Sequence, residues 1–137
     1  MHQHRTVVAA TALALVACGG GDGPPPEVTT FAFRMKGGPA SEEFRVSTSS
    51  QQFILQARAQ LSLPEAQRKL FALGTLRAGN GSHNLAWNWH LSDATLTEVA
   101  IELCDGKPSM VEANLNYWLN TVKSFCPWGS YVHAEIK

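Results

Sequence analysis

No sign of charge dominates this chain: 11 lysines and arginines face 11 aspartates and glutamates over 137 residues. A balanced domain has no electrostatic footprint for nucleic acid, which basic patches bind, and no polybasic surface for anionic lipid. Nucleic acid is therefore not an expected partner. Long hydrophobic runs are missing as well. The uncharged, mostly apolar stretch from Thr6 to Ala17 is twelve residues, too short to cross a hydrocarbon core of about 30 Å as a helix. No serine sits in a Gly-x-Ser-x-Gly turn and no Cys-x-x-Cys pair is present, so neither a hydrolase elbow nor a tuned redox thiol stands out. There is no nucleotide loop, no metal-ligand spacing and no internal repeat, and no cofactor or metal is expected. Cysteines number three. In an exported protein an odd count leaves a free thiol unless one cysteine has another use.

What is there begins with that other use. His2, His4, Arg5 and the free amino terminus make a weakly positive start, and the Thr6–Ala17 run has the length of a signal-peptide core. It ends in Leu15-Val16-Ala17-Cys18, which resembles the lipobox of bacterial lipoproteins. The resemblance implies cleavage before Cys18, thioether lipidation of its sulfur and acylation, as by palmitate, of its new amino group. Several acyl chains anchor stably where one does not. Residues 1–17 are thus expected to be a signal peptide. Residues 18–28 are expected to be a lipidated cysteine and tether, because Gly19-Gly20-Gly21-Asp22-Gly23-Pro24-Pro25-Pro26 combines flexible glycines with extending prolines. Gly19 is not the aspartate that resembles an inner-membrane retention signal. In a two-membrane cell the expected location is the outer membrane, facing periplasm or cell surface.

Residues 29–137 are expected to form one α+β domain; the chain's 45% apolar content is ordinary for a globular protein. Phe31, Phe33 and Met35 alternate with Ala32 and Arg34 as a strand, and Phe44 and Val46 begin a second. Ser49 precedes Gln52 by three, a capping box, and Phe53, Ile54, Ala57 and Leu61 recur at helical spacing until Pro64. Leu70 to Arg77 predicts a strand and Gly79-Asn80-Gly81 a turn. Leu85, Trp87, Trp89 and Leu91 alternate with polar residues and predict a strand, turned back by Ser92-Asp93-Ala94-Thr95 into a partner carrying Val99, Ile101 and Leu103. Ser109 and Glu112 make a second capping box before an apolar stripe of Val111, Leu115, Trp118, Leu119 and Val122. Tyr131 to Ile136 is the last strand. The expected order is β-β-α-β-β-β-α-β: a mainly antiparallel sheet of about six strands with two helices packed on one face.

Cys104 and Cys126 remain as a pair. A disulfide would fasten the second helix and last strand to the sheet, and an oxidising envelope favours it over the rival metal site, which lacks a second ligand pair.

Several segments together resemble a known family. Trp87-Asn88-Trp89-His90-Leu91, Ile101-Glu102-Leu103-Cys104-Asp105, Met110-Val111-Glu112 and Cys126-Pro127-Trp128-Gly129-Ser130 are similar to the N-terminal domain family named after the BP-seventy-four protein. Phe31-Ala32-Phe33 and the Gln51–Leu61 helix fit the same order, so the resemblance covers residues 29 to 137. It supports the domain boundaries and the cysteine pair, and implies no reaction and no catalytic residue.

Trp87, Trp89 and Trp118 are expected in the core. Trp128, in a loop pinned by Cys126, is the best candidate for touching a partner, with His90 and His133 beside it as possible binding residues. The leading expectation is a membrane-anchored, non-enzymatic binding module of the cell envelope, held by Cys18, for an unknown protein or small-molecule ligand. The alternative is a small envelope enzyme of hydrolase type with its site near His90 and His133. A polar cleft shared by those histidines favours the enzyme, and an aromatic patch at Trp128 the binder.

Overall fold

The computed structural model describes residues 26–100 and 103–137. The leader, Cys18 and most of the tether, and Ile101 and Glu102, lie outside the described residues. The fold is α+β, with six strands in two antiparallel three-stranded sheets. β1 (Thr29–Met35), β2 (Phe44–Thr48) and β6 (Ser130–Ile136) make the first sheet in the order β2-β1-β6. β3 (Phe71–Ala78), β4 (Trp89–Thr97) and β5 (Ser124–Phe125) make the second in the order β4-β3-β5. β2 runs beside β4, and β6 beside β3.

The core lies between the sheets. Phe33 stacks on Phe44 at 5.2 Å between ring centres. Phe125 takes Phe44, Trp89 and Trp118 edge to face at 5.7, 5.3 and 5.8 Å, the preferred geometry for aromatic quadrupoles. Trp89 and Trp118 are core residues as expected, and Trp87 sits at the core's margin with its Nε1–H donated to Glu43 O. α1 (Gln51–Leu61) covers this core with Phe53, Ile54 and Ala57. Its cap is Ser50, one residue later than expected, whose Oγ accepts from Phe53 N–H. Arg58 on its outer face donates to Glu135 and to Glu27. These bonds draw the Glu27 carboxyl below the usual carboxylate range and tie the start of the domain to β6.

One side chain joins the two sheets where no backbone ladder does. Asn84 is 1% exposed. Its Oδ1 accepts from Arg45 N–H on β2 at 2.8 Å, and its Nδ2 donates to Trp89 O on β4 at 2.8 Å. Both backbone groups are thereby paired, as burial demands.

Three expectations need correction. The Leu85–Leu91 strand exists only from Trp89 onward; Leu85 to Asn88 is turn, with Leu85 67% exposed. The Ser92–Thr95 turn is instead a β-bulge inside β4. Asp93 and Ala94 together oppose Gly74, Asp93 has φ of 51°, and inward alternation passes from Trp89 and Leu91 to Ala94 and Leu96. Gly74 is needed there, because a Cβ would meet Leu91 Cβ at 3.1 Å and Ser92 O at 3.2 Å. β4 accordingly pairs with β3, and the expected partner strand is not formed by its described residues: Val99 and Leu103 are 73% and 95% exposed.

The second capping box is also replaced. α2 (Pro108–Ala113) begins at Lys107 with no side-chain cap. Glu42, from the other end of the fold, accepts from Ser109 N–H at 2.9 Å and from its hydroxyl, while Glu112 accepts from Asn88 N–H and Nδ2. The expected single helix is broken at Asn114 into α2 and α3 (Leu115–Tyr117), followed by a π-turn over Trp118–Val122 that ends at Lys123 in the left-handed region. The π-turn still delivers Trp118 to the core.

Candidate functional site

Two of the segments that carry the family resemblance, Cys104-Asp105 and Cys126–Ser130, meet in the structure. Cys104 and Cys126 are disulfide-bonded with Cα atoms 5.1 Å apart, and Cys126 N–H donates to Cys104 O at 2.8 Å. Asp105 Oδ1 accepts from Gly106 N–H at 2.9 Å and from Trp128 N–H at 2.8 Å. Pro127 O accepts from Ser130 N–H and Oγ–H. Glycine at 106 leaves room for Trp118, whose ring atoms would lie 3.3 Å from a Cβ there. The Asp105 carboxylate thus works as a clamp on the Cys-Pro-Trp-Gly-Ser turn. Trp128 stands at its tip, 50% exposed, over a recess of about 300 Å³ lined by Lys69, Phe71, Glu98, Val99 and Ala100.

A second feature lies on another face. His90, on β4, and His83, in the preceding loop, pack edge to face at 5.4 Å. Each ring hands its Nδ1–H to a backbone carbonyl, His83 to Gly81 O at 2.9 Å and His90 to Gly79 O at 2.8 Å, so the neutral rings present Nε2 as an acceptor. His83 Nε2 is buried and has no partner. The loop depends on Gly81 (φ 61°), since a Cβ there would lie 2.7 Å from His90 Cγ. Both rings line an open polar groove of about 460 Å³, with Ser49, Ser50, Ser92 and Asp93 among its other walls. Among the described residues, no group of three or more His, Cys, Asp and Glu side chains is placed to hold a metal ion.

His133 belongs to neither feature. It is the extra residue of a bulge in β6, since Ala32 pairs with Ala134 and Phe33 with Val132, and its ring packs on Tyr131. His90 and His133 therefore sit in different sheets, and the groove that His90 lines does not include His133. From the sequence, His83, His90 and His133 could gather around Asp93 or Glu102, though at no metal-ligand spacing; the structure brings His83, His90 and Asp93 to one groove and leaves His133 out, and Glu102 lies outside the described residues. The available signal was the Gly-Asn-Gly-Ser turn, which folds His83 back on the strand that follows it.

Burial, with His90 adding to it, holds His83 below the ordinary histidine value of 6.5. The unfolded chain takes up that proton first, so protonation favours unfolding. Stability is expected to fall as pH drops from about 6.5 toward about 5, and His83→Gln should flatten that part of the profile. Urea midpoints measured across this range check it; an unchanged slope in the variant would show that His83 does not titrate as described.

A disulfide-braced α+β domain of two small sheets, with one tryptophan displayed on a clamped turn, is the class that these observations define. A family model described as the BP-seventy-four N-terminal domain matches residues 27–137, and the chain belongs to that family. No curated protein and no solved structure matches the chain.

Proposed function

We propose that this protein is a lipid-anchored component of the bacterial cell envelope whose domain is a non-enzymatic binding module, and that the Trp128 recess is the face that meets the partner. The observation that carries this reading is a half-exposed indole on a turn with little freedom left. A disulfide neighbour, the Asp105 clamp and the Pro127–Ser130 bonds hold it. A preordered aromatic loses little entropy on binding, and tryptophan is enriched among residues that dominate interface energies. Phe71, Val99 and Ala100 give the recess apolar lining, and Lys69 and Glu98 add charged groups to it. That is the common build of a recognition pocket, mostly apolar with a few polar groups that orient the ligand. The lipobox-like Leu15-Val16-Ala17-Cys18 supports the anchor, and the Gly/Pro stretch supports a tether that stands the domain off the membrane.

Two measurements test the reading. Mass spectrometry of the mature amino terminus should find an acylated Cys18; any other starting residue removes the anchor. For the recess, a photo-crosslinking amino acid placed at position 128 in living cells should give a discrete adduct. The same group at the exposed position Leu85 should give none. Equal labelling at both positions, or none at 128, would sink the binding face.

A further inference from the structure

The groove lined by His83 and His90 is separate from the Trp128 recess, and its chemistry suits a ligand of its own. Two acceptors line it: the Nε2 atom that the carbonyl-bound tautomer of His90 leaves as a lone pair, and the Asp93 carboxylate. Hydroxyl groups of Ser49, Ser50 and Ser92 add donors. Ser50 Oγ and Ser92 Oγ already accept, from Phe53 N–H and Arg77 Nε–H, which leaves their own protons to give. Among the described residues no lysine or arginine lines the groove, and Arg77 reaches the rim only through Ser92, so nothing there holds an anion; its one carboxylate is Asp93, a lone acceptor rather than a cation cage. A site that alternates donors and acceptors in this way matches a molecule whose own groups do both, and hydroxyls are such groups.

The backbone is committed to this arrangement. Asp93 is held at φ of 51° by the bulge opposite Gly74, a conformation a non-glycine residue adopts only where surrounding structure imposes it. Bulges recur beside functional sites, where they re-aim a side chain. We propose that this groove binds a neutral saccharide, with Asp93 and His90 accepting from sugar hydroxyls, the serines donating to sugar oxygens, and His83 backing the His90 ring. The groove is large enough, since about 460 Å³ falls within the range of small-molecule sites. His83 and His90 face each other in the groove wall, Asp93 lies on the same strand as His90, and Arg77 is the cross-strand partner of His90.

The histidine ring Cε1–H resonances of the full chain report binding directly, and His133, outside the groove, is an internal control. Titration with maltose and with chitobiose at neutral pH should move the His83 and His90 signals saturably with at least one of them, and leave His133 in place. Asp93→Asn keeps a side chain that tolerates positive φ and should weaken the response about tenfold, equivalent to about 1.4 kcal/mol. No saturable shift with either disaccharide, equal movement of His133, or undiminished binding by Asp93→Asn would overturn the proposal. Ethanolamine or inorganic phosphate reproducing the shifts would overturn it in favour of charge recognition.

Discussion

Trp89→Ala is expected to lower the unfolding free energy by about 3–5 kcal/mol, the range for emptying a buried aromatic site. Trp89 is 0% exposed, and its ring packs against Phe44 and Phe125, one from each sheet, and against Trp87 of the preceding loop. The vacated space borders rigid rings and strand backbone, so little can collapse into it, and the loss should lie toward the upper end. Trp89→Phe should cost much less. The indole Nε1–H is buried without a partner, and phenylalanine removes that unpaired donor along with part of the ring volume. Urea unfolding of both variants decides the matter. A near-zero shift for Trp89→Ala would mean that the two sheets do not close on this residue.

The second large effect belongs to the disulfide. The Cys104–Cys126 bond closes a loop with a sequence separation of 22. Replacing both cysteines by serine should lower stability by about 3 kcal/mol in the chain-entropy model, a large share of the net stability of a small domain. Cys104, Cys126 and Phe71 form a small satellite cluster joined by Leu73, Ala100 and Val122. The loss should therefore loosen the Asp105 clamp along with the covalent link. Wild-type protein with reductant should unfold at nearly the same urea concentration as the double variant. If the double variant matches oxidised wild type instead, the bond carries no stability.

Strands β1, β2 and β6 and helix α1 were legible because their periodicities are local: Phe31 and Phe33 alternate inward, and Phe53, Ile54 and Ala57 share a helix face. β4 was legible only to its bulge. A bulge shifts the inward phase by one residue, so a bulged strand reads as a strand followed by a turn, and the Ser-Asp pair reinforced the error. Ser109 and Glu112 have capping-box spacing, yet each is satisfied from afar, by Glu42 and by Asn88. No local pattern encodes a partner 67 residues away. Of the candidate residues, Trp128 was legible through its Pro-Trp-Gly setting beside a cysteine. Of the groove, His83, His90 and Asp93 were legible as residues that could gather, but not their geometry, because His83 reaches His90 only through the conformation of Gly81 and Ser82, both at positive φ. Asn84 gave no signal either, since a lone asparagine after a turn reads as solvent-facing.

Asn84 also bears on the order in which the molecule assembles. Its bond to Arg45 spans 39 positions, whereas β1–β2 and β3–β4 are antiparallel neighbours in sequence. Local pairings lose less loop entropy and form early; distant ones wait for them. Each sheet's hairpin can therefore nucleate alone, and the seam between β2 and β4 closes only once both are in place, when one amide side chain slots between two finished edges. The two hairpins are thus expected to behave as distinct cooperative units whose amide protons exchange on separate clocks.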